Sequence, residues 1–139
     1  MRTFIVISAL CMACSSSSTS NPTSANSCAE KGATYSETFA QYEGTCGDQM
    51  TQTVNVSASG VVTLTAFGVE VTCGTSSVDG CTSTETNCSY TAGDNKCTLY
   101  TSLTFSSDGA SLTGTETLDC TYGPGNTCNA SYKMTGTKQ

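Results

Sequence analysis

Apolar residues alternate with threonine and serine along most of the chain beyond residue 28, which is the period of a β-strand. Over 50–66 this alternation predicts a hairpin with one register. Its facing pairs are Val56 with Val62, Val54 with Leu64, and Gln52 with Ala66. The loop 58–60 ends in glycine, and Gly60 can adopt the left-handed conformation that a three-residue hairpin loop needs.

A second hairpin is centred on Asp108-Gly109, a strong turn signal between alternating runs. Its predicted facing pairs are Phe105 with Leu112, Leu103 with Gly114, Leu99 with Leu118, and Cys97 with Cys120. A shift by one residue would set these apolar side chains against threonine and aspartate, so the pattern excludes it. Directly opposed residues lie within disulfide reach, which predicts a Cys97–Cys120 bond. The alternative is Cys120–Cys128, across the turn 123–126.

Alternation also predicts strands over 33–42, 69–73 and 128–135. The predicted fold is therefore all-β: a small, disulfide-rich antiparallel up-and-down barrel or sandwich of about seven or eight strands. The polar stretch 74–96 breaks the rhythm. We expect it to form a long loop pinned by Cys81 and Cys88, of the kind that carries binding sites on rigid scaffolds.

The first residues differ from the rest of the chain. Arg2 precedes an apolar run over 4–13, which is shorter than the about 20 residues that span a bilayer and suits the about 7–15 of a secretory signal peptide. The run ends in Ala13-Cys14 and a Ser-rich tract follows. This arrangement resembles the lipobox of bacterial lipoproteins. Cys14 matches it better than Cys11, because small Ala13 precedes Cys14 whereas bulky Leu10 precedes Cys11.

The resemblance implies cleavage before Cys14, diacylation of its thiol and anchoring of the chain to a membrane. Ser15 stands where some bacterial lipoproteins carry the aspartate that retains them at the inner membrane. The resemblance therefore implies the cell envelope and the outer membrane; a soluble secreted protein is the alternative. The expected organisation is a signal peptide over 1–13, lipidated Cys14 with a flexible tether over 14–27, and a disulfide-bonded β domain over 28–139.

The β domain holds eight cysteines: Cys28, Cys46, Cys73, Cys81, Cys88, Cys97, Cys120 and Cys128. An even number in a small exported chain predicts four disulfides, which cross-link a chain whose apolar content is low. Loss of Cys11 with the signal and acylation of Cys14 leave this even set. The chain has no histidine, and the domain has no CxxC pair, so we predict no metal site.

The chain has a formal net charge of −6, which argues against nucleic acid as a partner and suits a basic protein. Without histidine or a free thiol, the usual general bases and nucleophiles are missing. Glu116 and Asp119 are three residues apart on a predicted strand and so face opposite sides. We therefore predict no catalytic residues, no cofactor and no enzymatic activity.

These observations together predict an exported, membrane-anchored lipoprotein whose non-catalytic domain binds a partner or supports the envelope. An apolar cavity in the barrel would favour a small ligand. The alternative is an inhibitor of a basic hydrolase, such as a lysozyme or a protease, which would insert an acidic loop over 74–96 into the active-site cleft.

Overall fold

The computed structural model describes residues 25–46 and 52–139, and within these ranges all regular structure is β. The nine strands are β1 (Thr34–Gly44), β2 (Gln52–Val56), β3 (Val62–Ala66), β4 (Val69–Glu70), β5 (Thr75–Asp79), β6 (Thr82–Ala92), β7 (Asn95–Phe105), β8 (Ser111–Tyr122) and β9 (Asn126–Lys138). The all-β prediction is confirmed, with nine strands in place of the seven or eight expected.

The strands form one antiparallel sheet in the order β4-β3-β2-β1-β9-β8-β7-β6-β5. Every neighbouring pair is consecutive in sequence except β1 and β9, which brings the first and last strands together. This is an up-and-down arrangement curled into a barrel-like sheet, and not two packed sheets.

Both predicted hairpin registers are confirmed. β2 and β3 pair Val56 with Val62 and Val54 with Leu64, and Gly60 has the expected positive φ of 85°. The four pairs predicted for the second hairpin join β7 and β8, the Cys97–Cys120 pair among them. In both hairpins the inward-facing side chains and the short turns specify the same register.

The two ends of the curled sheet meet next to β4. Thr72, which follows β4, and Ser89 of β6 exchange backbone hydrogen bonds of 3.0 and 2.8 Å. These bonds connect the segment after β4 to β6. The adjacent Cys73–Cys88 disulfide joins the same two segments. The sheet edge is therefore held shut at this level by two hydrogen bonds and one covalent cross-link.

Side chains pointing into the curl form the core, and aromatic rings occupy much of it. Tyr35 packs edge-on against Phe105 with ring centroids 5.2 Å apart, and Phe39 packs edge-on against Tyr132 at 5.6 Å. Perpendicular contacts of this kind are favourable beyond the area they bury. Other buried apolar side chains of the core include Val54, Leu64, Leu99, Leu103, Leu112, Leu118 and Met134.

The prediction of a long loop over 74–96 is wrong, because this stretch forms β5, β6 and the start of β7. A β-bulge between Glu85 and Cys88 explains the error. On one side of the bulge Ser83 and Glu85 face inward, and on the other side Cys88 and Tyr90 do, so the inward positions change from odd to even. Asn87 occupies the bulge with a φ of 52°, a conformation that asparagine tolerates better than most residues.

One end of the barrel, which carries the turns 57–61, 80–81 and 106–110, is closed by residues 26–33, here called the plug. Asn26 is buried and organises it: its side-chain oxygen accepts hydrogen bonds from the amides of Cys28 and Ala29, and its Nδ2 donates to Ser83 Oγ at 2.9 Å. Asn26 and Ser27, which belong to the stretch 14–27 expected to be tether, are therefore part of the folded domain.

Contacts with the strands fasten the plug. The Tyr35 hydroxyl donates to the carbonyl of Gly109 at 2.6 Å and accepts from the amide of Glu30. The Glu30 carboxylate pairs with Lys138 at 2.6 Å, and a Cys28–Cys81 disulfide ties the plug to the β5–β6 turn. This end of the barrel is consequently blocked.

Candidate functional site

All eight cysteines of the domain are paired, as predicted. The bonds are Cys28–Cys81, Cys46–Cys128, Cys73–Cys88 and Cys97–Cys120. Cys97–Cys120 is confirmed, and the alternative Cys120–Cys128 is wrong although these two residues face each other across β8 and β9. Four disulfides are consistent with an extracytoplasmic compartment. Cys11 and Cys14, with the lipobox and the tether up to residue 24, lie outside the described residues.

The sulfur atoms of Cys46, Cys120 and Cys128 lie within 4.8 Å of one another, and this is the one metal-compatible cluster in the described ranges. Each sulfur belongs to a disulfide, so the cluster has no thiolate with which to bind a metal ion. The two disulfides instead form part of the wall of a cavity.

That cavity is a cleft of about 240 Å³ at the end of the barrel opposite the plug. The turns at this end are 67–68, 93–94 and 123–125, and aromatic rings line the opening between them. Four aromatic side chains contribute to the wall: Phe67, Tyr90, Tyr122 and Tyr132. The remaining lining residues are Ala92, Asn95, Leu118, Cys46, Cys97 and Cys120. The wall is thus largely apolar, with an amide and phenolic hydroxyls as its polar groups, which is the usual composition of a small-ligand site.

Strand alternation places these side chains together. Tyr90, Cys97, Cys120 and Cys128 form one row across β6 to β9, and Leu118 lies in the next row inward. Tyr122 lies one row outward from Cys120, with its hydroxyl 2.9 Å from Cys128 Sγ. The Cys97–Cys120 disulfide within this row, and the Cys46–Cys128 disulfide that joins the row to the segment after β1, therefore hold the cleft wall in shape.

Phe67 has an unusual backbone for its residue type. It and Gly68 form the two-residue turn between β3 and β4, with φ values of 51° and 77°. Such a turn normally begins with asparagine, aspartate or glycine, because larger side chains are strained at positive φ. Phe67 is 49 % exposed, yet its ring lies 6.2 Å from that of Tyr90 at the cleft. The strain places an aromatic ring at the mouth of the cleft, the kind of outlier that marks binding sites.

Wider grooves occur on the outer face of the sheet but have different chemistry. One of about 470 Å³ runs over Gly114 between threonine side chains of β7, β8 and β9, such as Thr104 and Thr113. It is an open, shallow depression without an aromatic ring. The aromatic cleft is smaller but more enclosed, and rings form much of its wall, so we take it as the candidate site.

Beneath the cleft, two carboxyl groups converge inside the barrel. Gln52 Nε2 donates hydrogen bonds to Glu37 Oε2 at 2.9 Å and to Glu116 Oε2 at 3.3 Å. Glu116 is fully buried and Glu37 nearly so. The second carboxyl oxygen of each glutamate has no hydrogen-bond partner among the described residues. The carboxyl groups are thus removed from water with few donors to stabilise negative charge.

Burial changes the ionisation of this carboxyl pair. Desolvation raises the pKa of Glu37 to about 7, against a lowering by the Gln52 hydrogen bond. It raises the pKa of Glu116 to about 8, again opposed by Gln52 and reinforced by the charge of Glu37. Near neutral pH the pair therefore retains at least part of its protons.

The carboxyl pair and the cleft are neighbours, but Glu37 and Glu116 do not line the cleft. Glu116 lies directly across from Tyr132, which does line it. Burial raises the pKa of Tyr90 to about 12, and Glu116 is the largest of the charges that add to this shift. The negative charge of Glu116, when that group is ionised, thus acts on Tyr90 in the cleft wall, although Glu116 does not contact a molecule in the cleft.

The sequence analysis correctly placed Glu116 and Asp119 on opposite faces, since Glu116 is buried and Asp119 exposed. The contact between Glu37, Gln52 and Glu116 was not predicted. The alternation along each strand did indicate that these three side chains point inward, because each shares its strand face with buried apolar residues such as Tyr35, Val54 and Leu118. An apolar cavity in the barrel was considered from the sequence, but its position and lining residues were not predicted.

The acidic loop expected to enter a hydrolase active site is replaced by paired strands, so that form of the inhibitor hypothesis loses its basis. No family model matches the chain, and neither a curated protein nor a solved structure is significantly similar to it. In the part of the chain that the structure describes, no helix has the length and apolarity to cross a membrane. The candidate function therefore follows from the cleft.

Proposed function

We propose that the protein is an exported lipoprotein of the bacterial cell envelope whose barrel binds a small, mainly apolar molecule in the aromatic cleft. The observation that supports it is the concave wall of four aromatic rings, braced by two disulfides. A volume of about 240 Å³ lies just below the about 300–1,000 Å³ of drug-sized sites, so the ligand is small. Binding rather than catalysis is proposed, because the buried carboxyl pair does not line the cleft.

The geometry suits a domain held at a membrane. The described chain enters at the plugged end, and the cleft opens at the opposite end. β7 alone runs 11 residues between the two ends, a length of roughly 35 Å at about 3.3 Å per residue. A tether to lipidated Cys14 would thus leave the cleft at the end distant from the attachment point and accessible to solutes.

The ligand-binding part is tested on the full chain carrying Cys14→Ser, which removes the acylation site and leaves the described residues unchanged. Indole, a small neutral aromatic, is added and saturation-transfer NMR records contact with the protein. We expect transfer that Phe67→Asn abolishes or weakens several-fold, whereas Tyr100→Ser on the outer face of β7 leaves it unchanged. Equal transfer in all three proteins would overturn the assignment of the site.

The anchor is tested separately by metabolic labelling with a palmitate analogue in a bacterial host. We expect label in the native sequence and in Cys11→Ser, and loss of both label and membrane association in Cys14→Ser. Label that persists in Cys14→Ser would show that the lipobox assignment is wrong. Inhibition of a basic hydrolase, which the acidic charge alone still suggests, would appear as slowed lysozyme or protease turnover in the presence of the same chain.

A further inference from the structure

The wall of the cleft has the chemistry of a cation site. Four aromatic rings line it, the π-face of an aromatic ring attracts ammonium groups, and the lining residues include no lysine or arginine. All four lysines of the described ranges, Lys31, Lys96, Lys133 and Lys138, are exposed. Within residues 25–46 and 52–139, no positive side chain therefore lines the cleft beside the rings.

The carboxyl pair below the cleft has no counterion among residues 25–46 and 52–139. The groups that face Glu116 are Glu37 from β1, Gln52 from β2, Tyr90 from β6, Thr101 from β7 and Tyr132 from β9; Glu85 of β6 lies in the same cross-strand row. These are acids, an amide and hydroxyls, and none is a base. An ionised pair therefore obtains no positive charge from the described part of the chain.

Resting on the function proposed above, we propose that the cleft selects an organic ammonium ion, and that a proton leaves the Glu37–Glu116 pair when this cation binds. The cation is held against the rings of Phe67, Tyr90 and Tyr122. One carboxylic acid O–H of the pair loses its proton to solvent, so the charge gained by the cleft is offset by the charge lost as H⁺. No covalent bond to the ligand forms.

The cation hypothesis explains two features that a neutral ligand leaves unused. The carboxyl oxygens without partners, Glu37 Oε1 and Glu116 Oε1, are buried in the interior, and Glu116 lies directly across from Tyr132 of the cleft wall. A nearby cation stabilises their ionised form through a medium of low dielectric. By linkage, the cation then binds more tightly at pH values where the pair is already ionised.

The test compares choline with its neutral isostere 3,3-dimethylbutan-1-ol, using calorimetry on the full chain with Cys14→Ser. At pH 9 we expect choline to bind at least about tenfold more tightly than the isostere, the scale of a desolvated cation–π contact. At pH 6 we expect choline to lose about tenfold in affinity and the isostere to be unaffected. At pH 7 choline binding should release protons, seen as a binding enthalpy that depends on the buffer.

Three variants locate the effect. Tyr90→Leu should weaken choline about tenfold, and Tyr100→Leu, outside the barrel, should leave it unchanged. Glu116→Gln should remove most of the pH dependence without altering the isostere. If Glu116→Gln fails to fold, as judged by circular dichroism, Glu37→Gln serves the same purpose.

Choline and the isostere binding equally at both pH values would overturn the proposal, as would a pH effect that survives in a glutamate variant that folds. If indole still binds at the cleft in that case, the small-ligand function stands and only the cation selectivity fails. If indole, choline and the isostere all fail to bind, both proposals fail.

Discussion

Phe67 holds its side chain at the mouth of the cleft at a local conformational cost. At this position of the β3–β4 turn, asparagine would adopt the same positive φ more easily than phenylalanine. We therefore expect Phe67→Asn to unfold at an equal or higher urea concentration than the native chain, with a gain of up to roughly 1 kcal/mol, while ligand binding falls. A variant that loses stability would show that the ring supports the fold and not the site. Gly68→Ala, which strains the same turn, is the destabilising control.

Glu37 and Glu116 make the stability of the barrel depend on pH. Burial raises both pKa values above the 4.5 of the exposed group, so between about pH 4.5 and 8 the folded state holds protons that the unfolded chain releases. Their contribution to stability is complete below pH 4.5 and declines as the pH rises through about 7 and 8.

Urea unfolding of the native chain without ligand should therefore give a lower midpoint at pH 9 than at pH 5. Glu116→Gln should flatten this decline, because an amide does not ionise, and exposed Glu70→Gln should leave it unchanged. A midpoint that rises with pH would contradict the burial of uncompensated carboxyls.

At the scale of strands, alternation predicted the registers of β2 with β3 and of β7 with β8 residue by residue. It succeeded there because both strands of each hairpin keep their parity and the turns are short. It failed over 74–96 for two reasons: the bulge at Asn87 reverses parity, and the inward residues Ser83 and Glu85 are polar. A polar interior removes the contrast on which such predictions depend.

The same limit explains why the carboxyl pair was missed. Strand alternation alone places the side chains of Glu37, Gln52 and Glu116 in the barrel interior. Their contact with one another depends on the pairing of β1 with β9. That pairing joins strands at opposite ends of the domain, and no turn in the sequence specifies it. Strand order, and the cleft that results from it, could not be predicted from local pattern.

Asn87 tests the role of the bulge in β6. Because a β-branched residue is disfavoured at positive φ, Asn87→Val should lower the free energy of unfolding by roughly 1–2 kcal/mol. Asn87→Gly, which accepts the conformation, should stay close to the native value. If valine were tolerated as well as glycine in urea unfolding, the bulge would not need its left-handed residue.

For the molecule as a whole, covalent cross-links supplement a core that includes buried polar groups. Cys28–Cys81 closes 53 residues and Cys73–Cys88 closes 15. Chain-entropy estimates give losses of about 4 and about 3 kcal/mol when each pair is replaced by serine. We expect both double variants to be destabilised in urea unfolding, with Cys28→Ser/Cys81→Ser the less stable. The reverse order would show that closing the sheet edge matters more than loop length.

The plug also separates two tasks along the length of the barrel. Residue 25 and Gln139, whose amide bonds to the carbonyl of Thr34, both lie at the plugged end. The opposite rim is built from short reversals at 67–68, 93–94 and 123–125, each joining neighbouring strands. Under the proposed anchoring and ligand binding, residues at this rim can be exchanged to change the ligand while the chain terminus that leads to Cys14 stays as it is.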